Sequence, residues 1–331
     1  MTVADKSNIW FTVVNVYAAS SKAVHAWNKA EEYMKANGIV YHGNRTGKSG
    51  NATEITFDAC MAGYRRFVAV GGDGTVHDVL NGIAAYIDWA SEMGKNLKFS
   101  DFTMAVIPVG SGNDWIRSIG VPRDVEKAAA LLEKAETRPQ DVVKTSILDF
   151  DKLPENVELA QSYMVNIGGV GIDARVAGRV NTLKQRGKRG RILYVTSLIH
   201  AIMNRSASMA KVICDDKVLY DGEYYSMAFG VGKYSGGGMR QTPAAVMDDG
   251  LLDVTVIPVL PIGRIAVAAP KLFTDTLLEV PELVASKAKV ITVVPYNLEC
   301  AEPVEVDGEV IGKAPVRFEL MDSQINVVTG S

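Results

Sequence analysis

Two short glycine-rich stretches contain the residues whose types and spacing are most suggestive of chemistry. GGDGT spans residues 71–75 and GSGND spans residues 110–114, and each follows an apolar run. Glycines let backbone amides approach phosphate oxygens closely, and the amides at the start of a helix favour an anion. The carboxylate of Asp73 would repel a phosphate, so its presence favours a divalent cation between the two. The pattern predicts metal-assisted phosphate chemistry.

Taken alone, GGDGT is equally consistent with a tight turn between a strand and a helix, in which Asp73 or Thr75 caps the helix. GSGND favours ligand binding, because adjacent parallel strands place such loops side by side at the carboxyl edge of a sheet. Within it, Ser111 offers a hydroxyl group, and Asn113 and Asp114 could start a helix or hold a cation-bound water.

The elements around these stretches alternate between strand and helix over residues 1–142. Apolar runs rich in β-branched residues predict strands at 9–17, 39–43, 66–70 and 102–110. Amphipathic and alanine-rich runs predict helices at 20–38, 52–62, 76–90 and 124–136, the last with Asp124 as its cap. This alternation predicts a doubly wound α/β domain with a parallel sheet.

Beyond residue 142 the pattern changes to short alternating runs that Gly, Asp and Pro separate. These runs lie at 146–151, 158–169, 210–216, 217–232, 251–259, 289–296, 303–310 and 315–320. They predict an antiparallel β-sandwich over residues 143–331, interrupted by one helical stretch at 191–205. The sequence leaves open whether the C-terminal tail (321–331) returns to the first domain.

Composition sets the broad class of protein. The 331 residues are 47% hydrophobic and 22% charged, which is ordinary for a globular chain with room for two domains. A net charge of −3 gives no support for nucleic-acid binding. The three cysteines are scattered and form no CxxC pair, as expected in a reducing cytoplasm.

No segment reads as a signal or a membrane span. The apolar stretch at 8–19 lacks the basic flank and cleavage site of a secretory signal. The stretch at 255–270 is broken by three prolines and Arg264, and it is too short to cross a bilayer. We therefore expect a cytoplasmic protein whose membrane contact is peripheral.

The glycine stretches and the blocks around them resemble the diacylglycerol kinase catalytic family, in its soluble bacterial lipid-kinase form. GGDGTVHDVLNG (71–82) followed by PVGSGND (108–114) carries this resemblance most clearly. Further matching blocks follow in order over nearly the whole chain: RTGKSGNAT (45–53), PQDVV (139–143), NIGGVGIDARV (166–176), RGKRGRILYV (186–195), GVGKYSGGGM (230–239), MDDGLLDV (247–254) and VDGEV (306–310).

The resemblance implies a kinase that uses ATP and Mg²⁺ to phosphorylate a lipid hydroxyl, with the active site in a cleft between the two domains. Diacylglycerol, giving phosphatidic acid, is the default acceptor, and a sphingoid-type or other lipid alcohol is the alternative. The ATP contacts that the resemblance implies are Asn15, Thr46, Gly71, Gly72, Asp73, Gly74, Thr75, Asp78 and Ser111.

The resemblance also implies carboxylates with separate roles. Asp73, Asp114 and Asp141 would form an aspartate–water network around the ATP-bound Mg²⁺, and Asp73 would be catalytic. Asp249 with the backbone oxygens of Leu252 and Val254 would hold a structural Mg²⁺. Glu309 would take the proton from the substrate hydroxyl.

The blocks that contain Glu309 and Asp249 also allow plainer interpretations, in which neither residue has a catalytic or metal-binding role. VDGE reads as a hairpin turn with an Asp-Gly signal, which leaves Glu309 as a solvated strand residue. MDDGLLD reads as a turn between strands, in which Asp248 and Asp253 could share or replace the metal role of Asp249.

The chain departs from the family pattern in three of its blocks. The first-strand block Asn-Pro-x-x-Gly reads Asn15-Val16-Tyr17-Ala18-Ala19, and the Cβ of Ala19 would alter how the backbone approaches the nucleotide. Asp78 stands where Glu is common and Ser111 where Thr is common, and both keep the functional group.

A basic stretch suggests how such an enzyme reaches a lipid. No acidic residue lies between Asp173 and Asp215. The basic residues expected to contact anionic head groups at the inner face of the membrane are Lys184, Arg186, Lys188, Arg189 and Arg191. A solvated loop is the plainer alternative, and nucleic-acid binding is disfavoured because aromatic residues other than Tyr194 are missing there. The oligomeric state stays open, a homodimer included.

Two other functions share parts of this pattern. A kinase similar to NAD kinase would share GGDGT and the two-domain plan, but PVGSGND is not the second loop expected there. A nucleotide-binding regulator without transferase activity is compatible with the altered first-strand block, whereas the intact DGE and DDGLLD blocks disfavour it.

Overall fold

The computed structural model describes residues 5–16, 21–47, 51–110, 112–153, 155–171, 175 and 208–330. The chain forms two compact units, one of Met1–Gln140 with Asp322–Ser331 and the other of Asp141–Met321. The sequence placed the division after residue 142 and left open whether the C-terminal tail (321–331) returns to the first domain. In the structure the last strand does return, because it pairs within the sheet of the first unit.

In the part of the first unit that the structure describes, six strands form one sheet in the order β2-β1-β3-β4-β19-β5. Its strands are β1 (Trp10–Val14), β2 (Tyr41–Arg45), β3 (Arg66–Gly71), β4 (Thr103–Pro108), β5 (Thr137–Gln140) and β19 (Ile325–Val328). Its helices are α1 (Ser21–Ala36), α2 (Ala52–Met61), α3 (Asp73–Glu92), α4 (Trp115–Ser118) and α5 (Val125–Lys134). All neighbours pair in parallel except β5, which runs antiparallel to β19.

The central strands β3 and β4 are buried along almost their whole length, as expected when helices cover both faces of a parallel sheet. Trp27 and Met34 of α1 pack into the same core as Val68 and Ile107 of these strands. The predicted cap of α5 is also present, because Asp124 accepts a hydrogen bond from the amide of Lys127 at 3.0 Å.

Among the described residues, the second unit forms an antiparallel sheet of eleven strands, in the order β17-β16-β8-β10-β9-β15-β18-β6-β7 with β13 and then β14 branching from β10. Its strands are β6 (Val143–Leu148), β7 (Glu158–Met164), β8 (Ile167–Gly171), β9 (Ser208–Cys214), β10 (Lys217–Gly230), β11 (Tyr234–Ser235), β12 (Met239–Arg240), β13 (Leu252–Pro258), β14 (Val284–Ala288), β15 (Val290–Pro295), β16 (Pro303–Val306), β17 (Glu309–Lys313) and β18 (Val316–Leu320). The strands β11 and β12 form a separate pair.

Stacked aromatic rings lie at the centre of this second core. Phe229 and Phe318 are fully buried, and their ring centroids are 4.4 Å apart. The predicted fold class is therefore confirmed: an α/β domain with a parallel sheet precedes an antiparallel, sandwich-like β domain.

Two details of the second unit differ from the sequence prediction. The run at 158–169 forms two strands instead of one, because the carboxylate of Asp307 accepts the backbone amides of Val165, Asn166 and Ile167, each at 3.2 Å. A short helix, α6 (Ile262–Ala268), follows β13 within the apolar stretch at 255–270, where the sequence predicted no helix. The predicted helix at 191–205 lies outside the described residues.

Short 3₁₀ helices complete the described part of the chain, at Phe99–Asp101, Phe150–Lys152, Ala269–Phe273, Leu277–Glu279 and Leu298–Cys300. Over the same residues, no helix combines the length and the apolar character that crossing a membrane requires.

Gly82, within the first glycine block, allows α3 to pack closely on α2. A Cβ at this position would lie 2.6 Å from the carbonyl oxygen of Thr53 and 2.6 Å from the Cβ of Thr56. The backbone of α2 cannot yield without moving the whole helix. Gly82 is therefore required by the packing of two helices.

The substitution Gly82→Ala should lower the free energy of unfolding by about 1–3 kcal/mol, because overpacking outweighs the better helix propensity of alanine. Gly263→Ala in α6 is the matched control, since no heavy atom lies within 4 Å of the added Cβ. The control should leave stability unchanged or raise it by up to about 1 kcal/mol. Urea denaturation measures both, and equal effects would refute the packing role.

Candidate active site

The GGDGT stretch forms the turn between β3 and α3. Gly71 ends the strand, Gly72 is the N-cap, and Asp73 is the first residue of the helix. Gly72 makes no capping side-chain hydrogen bond, and Asp73 and Thr75 point to other partners. Neither residue therefore caps α3, in contrast to the plain-turn alternative. The first amides of a helix without such a cap are suited to an anion.

The GSGND stretch lies directly against this turn. The carbonyl oxygen of Gly71 accepts hydrogen bonds from the amides of Val109 at 2.8 Å and Gly110 at 3.2 Å. A Cβ on Gly110 would lie 2.6 Å from the Cα of Gly72. From the sequence, these glycines were expected to let the backbone amides approach phosphate oxygens closely. The structure adds a second requirement, since two backbones can pack this closely only without side chains.

The carboxylate of Asp73 joins the two loops. Its Oδ1 accepts the amides of Asp114 at 2.9 Å and Trp115 at 3.2 Å, and its Oδ2 accepts the amide of Asp114 at 3.1 Å. These two residues begin α4, so Asp73 caps a helix other than its own. Carboxylate oxygens are also ligands that a hard cation such as Mg²⁺ prefers.

Asp114 is thereby brought beside Asp73, and the part predicted for both residues in a metal-associated network stays a prediction. Its side chain is only 8% exposed and forms an ion pair with the guanidinium of Arg117, with 3.3 Å between Nε and Oδ1. Arg123 also supports this loop by donating from Nη2 to the carbonyl oxygen of Gly112 at 2.7 Å. Sequence reasoning missed Arg123, because a surface arginine nine positions beyond the loop carries no local signal.

Asn15 and Thr46 extend the cluster along the carboxyl ends of β1 and β2. The side-chain amide of Asn15 donates to the hydroxyl of Thr75 at 3.1 Å, and the amide of Thr46 donates to the carbonyl oxygen of Val14 at 2.9 Å. The Thr46 hydroxyl is buried and has no hydrogen-bond partner among the described residues. A buried hydroxyl without a partner is costly, and a ligand group would satisfy it.

Two more of the predicted ATP contacts belong to this region of the chain. Asp78 lies on α3, half-buried, and its carbonyl oxygen accepts the hydroxyl of Thr53 at 3.2 Å. Ser111 lies outside the described residues, as do Tyr17–Ser20 of the altered first-strand block.

Asp141 belongs to the second unit, whereas Asp73 and Asp114 belong to the first. It is 1% exposed. Its amide donates to the carbonyl oxygen of Met247 at 2.7 Å, and its Oδ2 accepts the amide of Gly250 at 2.9 Å. Asp141 therefore fastens the MDDG turn. Its predicted part in the aspartate–water network stays a prediction.

The MDDG turn holds the ammonium of Lys287 where the resemblance places a structural Mg²⁺. This ammonium lies 2.8 Å from Asp249 Oδ2 and 3.1 Å from Asp253 Oδ2. Burial raises the pKa of Asp253, and Lys287 partly offsets this effect. Burial lowers the pKa of Lys287, but the two carboxylates outweigh it, so its pKa is raised and the cation is retained.

The backbone part of the predicted metal site fits poorly as well. Val254 is paired with Phe229 on one side and with Ser286 on the other, so its carbonyl group lies within the hydrogen-bonded sheet. Over the described ranges, no group of three or more His, Cys, Asp or Glu side chains could hold a metal ion. The residues Asp249, Leu252 and Val254 do not fit a structural Mg²⁺.

Glu309 begins β17 after a two-residue hairpin turn. Val306 pairs with Glu309, and the turn residues Asp307 and Gly308 have φ of 51° and 91°. This is the Asp-Gly hairpin that the residues alone suggested. Asp307 is anchored by three backbone amides, so the turn presents the exposed side chain of Glu309 from a fixed backbone.

Comparisons with known families agree with this arrangement. The diacylglycerol kinase catalytic domain matches residues 10–145, and the YegS C-terminal NAD kinase beta sandwich-like domain matches residues 166–329. The chain belongs to the YegS-like, diacylglycerol kinase-like family of lipid kinases. It is therefore a kinase, and ATP use follows from the family. The resemblance noted from the sequence is confirmed.

Individual relatives of this lipid kinase are distant but extend over most of its length. A "Probable lipid kinase YegS-like" of Stenotrophomonas maltophilia is 23% identical and covers 96% of this chain and 95% of its own. One of Pseudomonas savastanoi pv. phaseolicola is 26% identical, covering 85% and 81%. A crystal structure of "a putative diacylglycerol kinase from Bacillus anthracis str. Sterne" is 25% identical, with a TM-score of 0.74 and 98% of both chains covered.

Because Asp73 accepts hydrogen bonds from the start of α4, two substitutions at this position should differ in their effect on stability. Asp73→Ala removes the acceptor of two backbone amides and should lower the free energy of unfolding by about 1–3 kcal/mol. Asp73→Asn keeps an acceptor oxygen and should retain most of that stability. The exposed Asp58 supplies the control Asp58→Ala, with a change within about 0.5 kcal/mol. Urea denaturation measures these free energies. An Asp73→Ala value equal to that of Asp58→Ala would contradict the capping of α4 by Asp73.

Proposed function

We propose that this kinase transfers the γ-phosphoryl group of ATP, with Mg²⁺, to the hydroxyl group of a membrane lipid. Diacylglycerol, which would become phosphatidic acid, is the default acceptor. The observation that carries the proposal is the Asp73 carboxylate, which is fixed between two glycine loops at the carboxyl edge of the parallel sheet. Ligands of open α/β sheets bind at this edge.

The first unit supplies the groups that would bind the nucleotide. The first amides of α3 would donate to phosphate oxygens, and the buried Thr46 hydroxyl, which has no hydrogen-bond partner among the described residues, would accept or donate a hydrogen bond. The side chains of Asp73 and Asp114 would hold an ATP-bound Mg²⁺ through water. When bound, the cation neutralises charge on the β- and γ-phosphates.

Glu309 is the proposed general base. Its carboxylate would accept the proton of the lipid hydroxyl as that oxygen attacks the γ-phosphorus and the bond to the β–γ bridging oxygen breaks, which releases ADP. Positioned bases of this kind are usual in phosphoryl transfer. The exposed position of Glu309 on an anchored hairpin supports this role, because a base must reach a substrate that enters from outside the fold.

The acceptor lies in a membrane, so we further propose that the enzyme is cytoplasmic and docks on the inner face of the bilayer. Lys184, Arg186, Lys188, Arg189 and Arg191 would attract anionic head groups, each at about 1 kcal/mol near the surface. All five lie outside the described residues, so the proposal rests on their clustering in the sequence.

NAD is the second candidate acceptor. The domain that matches the second unit is described as NAD kinase beta sandwich-like, which is the specific observation in favour of NAD. The cluster of basic residues has no evident role with a small soluble acceptor, and this favours the lipid.

The purified enzyme with labelled ATP and Mg²⁺ should phosphorylate diacylglycerol in vesicles, and faster when the vesicles contain anionic lipid. Parallel reactions offer a sphingoid base and NAD. Label transferred to NAD but to no lipid would overturn the proposal. Label in a lipid other than diacylglycerol would retain the class of reaction and replace the acceptor.

Glu309→Gln should lower kcat by about 10²-fold or more, while the affinity for Mg-ATP stays within about twofold. Glu299→Gln is the matched control, since Glu299 is also an exposed carboxylate of the second unit and belongs to no predicted site. Its kcat should stay within about twofold of the wild-type value. Wild-type turnover in Glu309→Gln would remove this residue as the base.

A further inference from the structure

The turn at 247–250 and the start of β13 form a compact acidic site around Lys287. Two carboxylates converge on the ammonium, and the carbonyl oxygen of Ala244 lies 3.4 Å from it. Oxygen atoms from three residues thus surround a single positive charge. This is the type of environment in which proteins bind a hard cation.

The sheet register determines the position of Lys287. Lys287 on β14 is the direct antiparallel partner of Asp253 on β13, so the two side chains are cross-strand neighbours on one face. The side chain of Asp253 is only 8% exposed, and a buried carboxylate requires a positive partner. The ammonium is therefore held by the fold itself.

The turn is restrained on its other side as well. Asp141 accepts the amide of Gly250 at 2.9 Å, and Asp249 Oδ1 accepts the amide of Leu251 at 3.1 Å. One oxygen of Asp249 is thus directed to the backbone and the other to Lys287. Both oxygens of Asp249, the side chain predicted to bind the metal, are therefore already in contact with groups of the chain.

We propose that Lys287 is the resident cation of this turn and takes the place of the structural Mg²⁺ that the DDGLLD block implies. The nucleotide-free protein then needs no divalent metal for the stability of its second unit, and its demand for Mg²⁺ is confined to ATP. This inference concerns the second unit alone and does not depend on the identity of the acceptor.

Thermal unfolding of the nucleotide-free full chain, in EDTA and in millimolar Mg²⁺, tests the proposal. The wild-type midpoint should be the same in both. Lys287→Met should lower the midpoint by about 5 °C or more, since it leaves a buried carboxylate unpaired. Adding Asp253→Asn to Lys287→Met should recover part of that loss. Lys289→Met, an exposed lysine two positions further on, is the control and should change the midpoint by about 1 °C or less.

Three results would overturn the proposal. The first is a wild-type midpoint that rises by several degrees in Mg²⁺ and loses this rise in Asp249→Asn, which would place a metal in the turn. The second is a Lys287→Met midpoint equal to that of Lys289→Met. The third is a double variant, Lys287→Met with Asp253→Asn, whose unfolding midpoint is as low as that of Lys287→Met alone. The wild-type comparison decides the question even if Lys287→Met does not fold.

Discussion

The hydrogen bonds from the amides of Asp114 and Trp115 to the carboxylate of Asp73 are the constraint on which the first unit's candidate site depends. They place a negative side chain in a turn that otherwise suits an anion, and they orient that side chain away from the start of its own helix. The amides at the start of α4 offset part of its charge. These contacts explain how an aspartate can be accommodated beside the proposed phosphate site.

Acidic residues act repeatedly in this chain as acceptors for backbone amides of distant segments. Asp141 fastens the MDDG turn, and Asp307 fastens the break between β7 and β8. The same residue types that suggest metal binding in the sequence thus serve to position loops. Lys287 completes this pattern, because its ammonium lies against the carboxylates of Asp249 in the MDDG turn and Asp253 on β13.

Local patterns were sufficient for most of the fold, because apolar periodicity and caps such as Asp124 act over a few residues. The return of β19 to the first sheet was not predictable, since a short apolar strand carries no mark of its partner. The contacts of Asp73 with Asp114 and of Asp253 with Lys287 join residues more than thirty positions apart. Motif spacing pointed to the three aspartates, but Lys287 and the contacts themselves emerge only from the tertiary fold.

Hydrogen exchange at the amides of Asp114 and Trp115 is the most direct measurement of the central claim that Asp73 fixes the second glycine loop. In the nucleotide-free protein these amides should exchange slowly, and Asp73→Ala should accelerate them by about tenfold, whereas Asp58→Ala should not. Fast exchange in the wild type, or equal rates in wild type and Asp73→Ala, would contradict the claim.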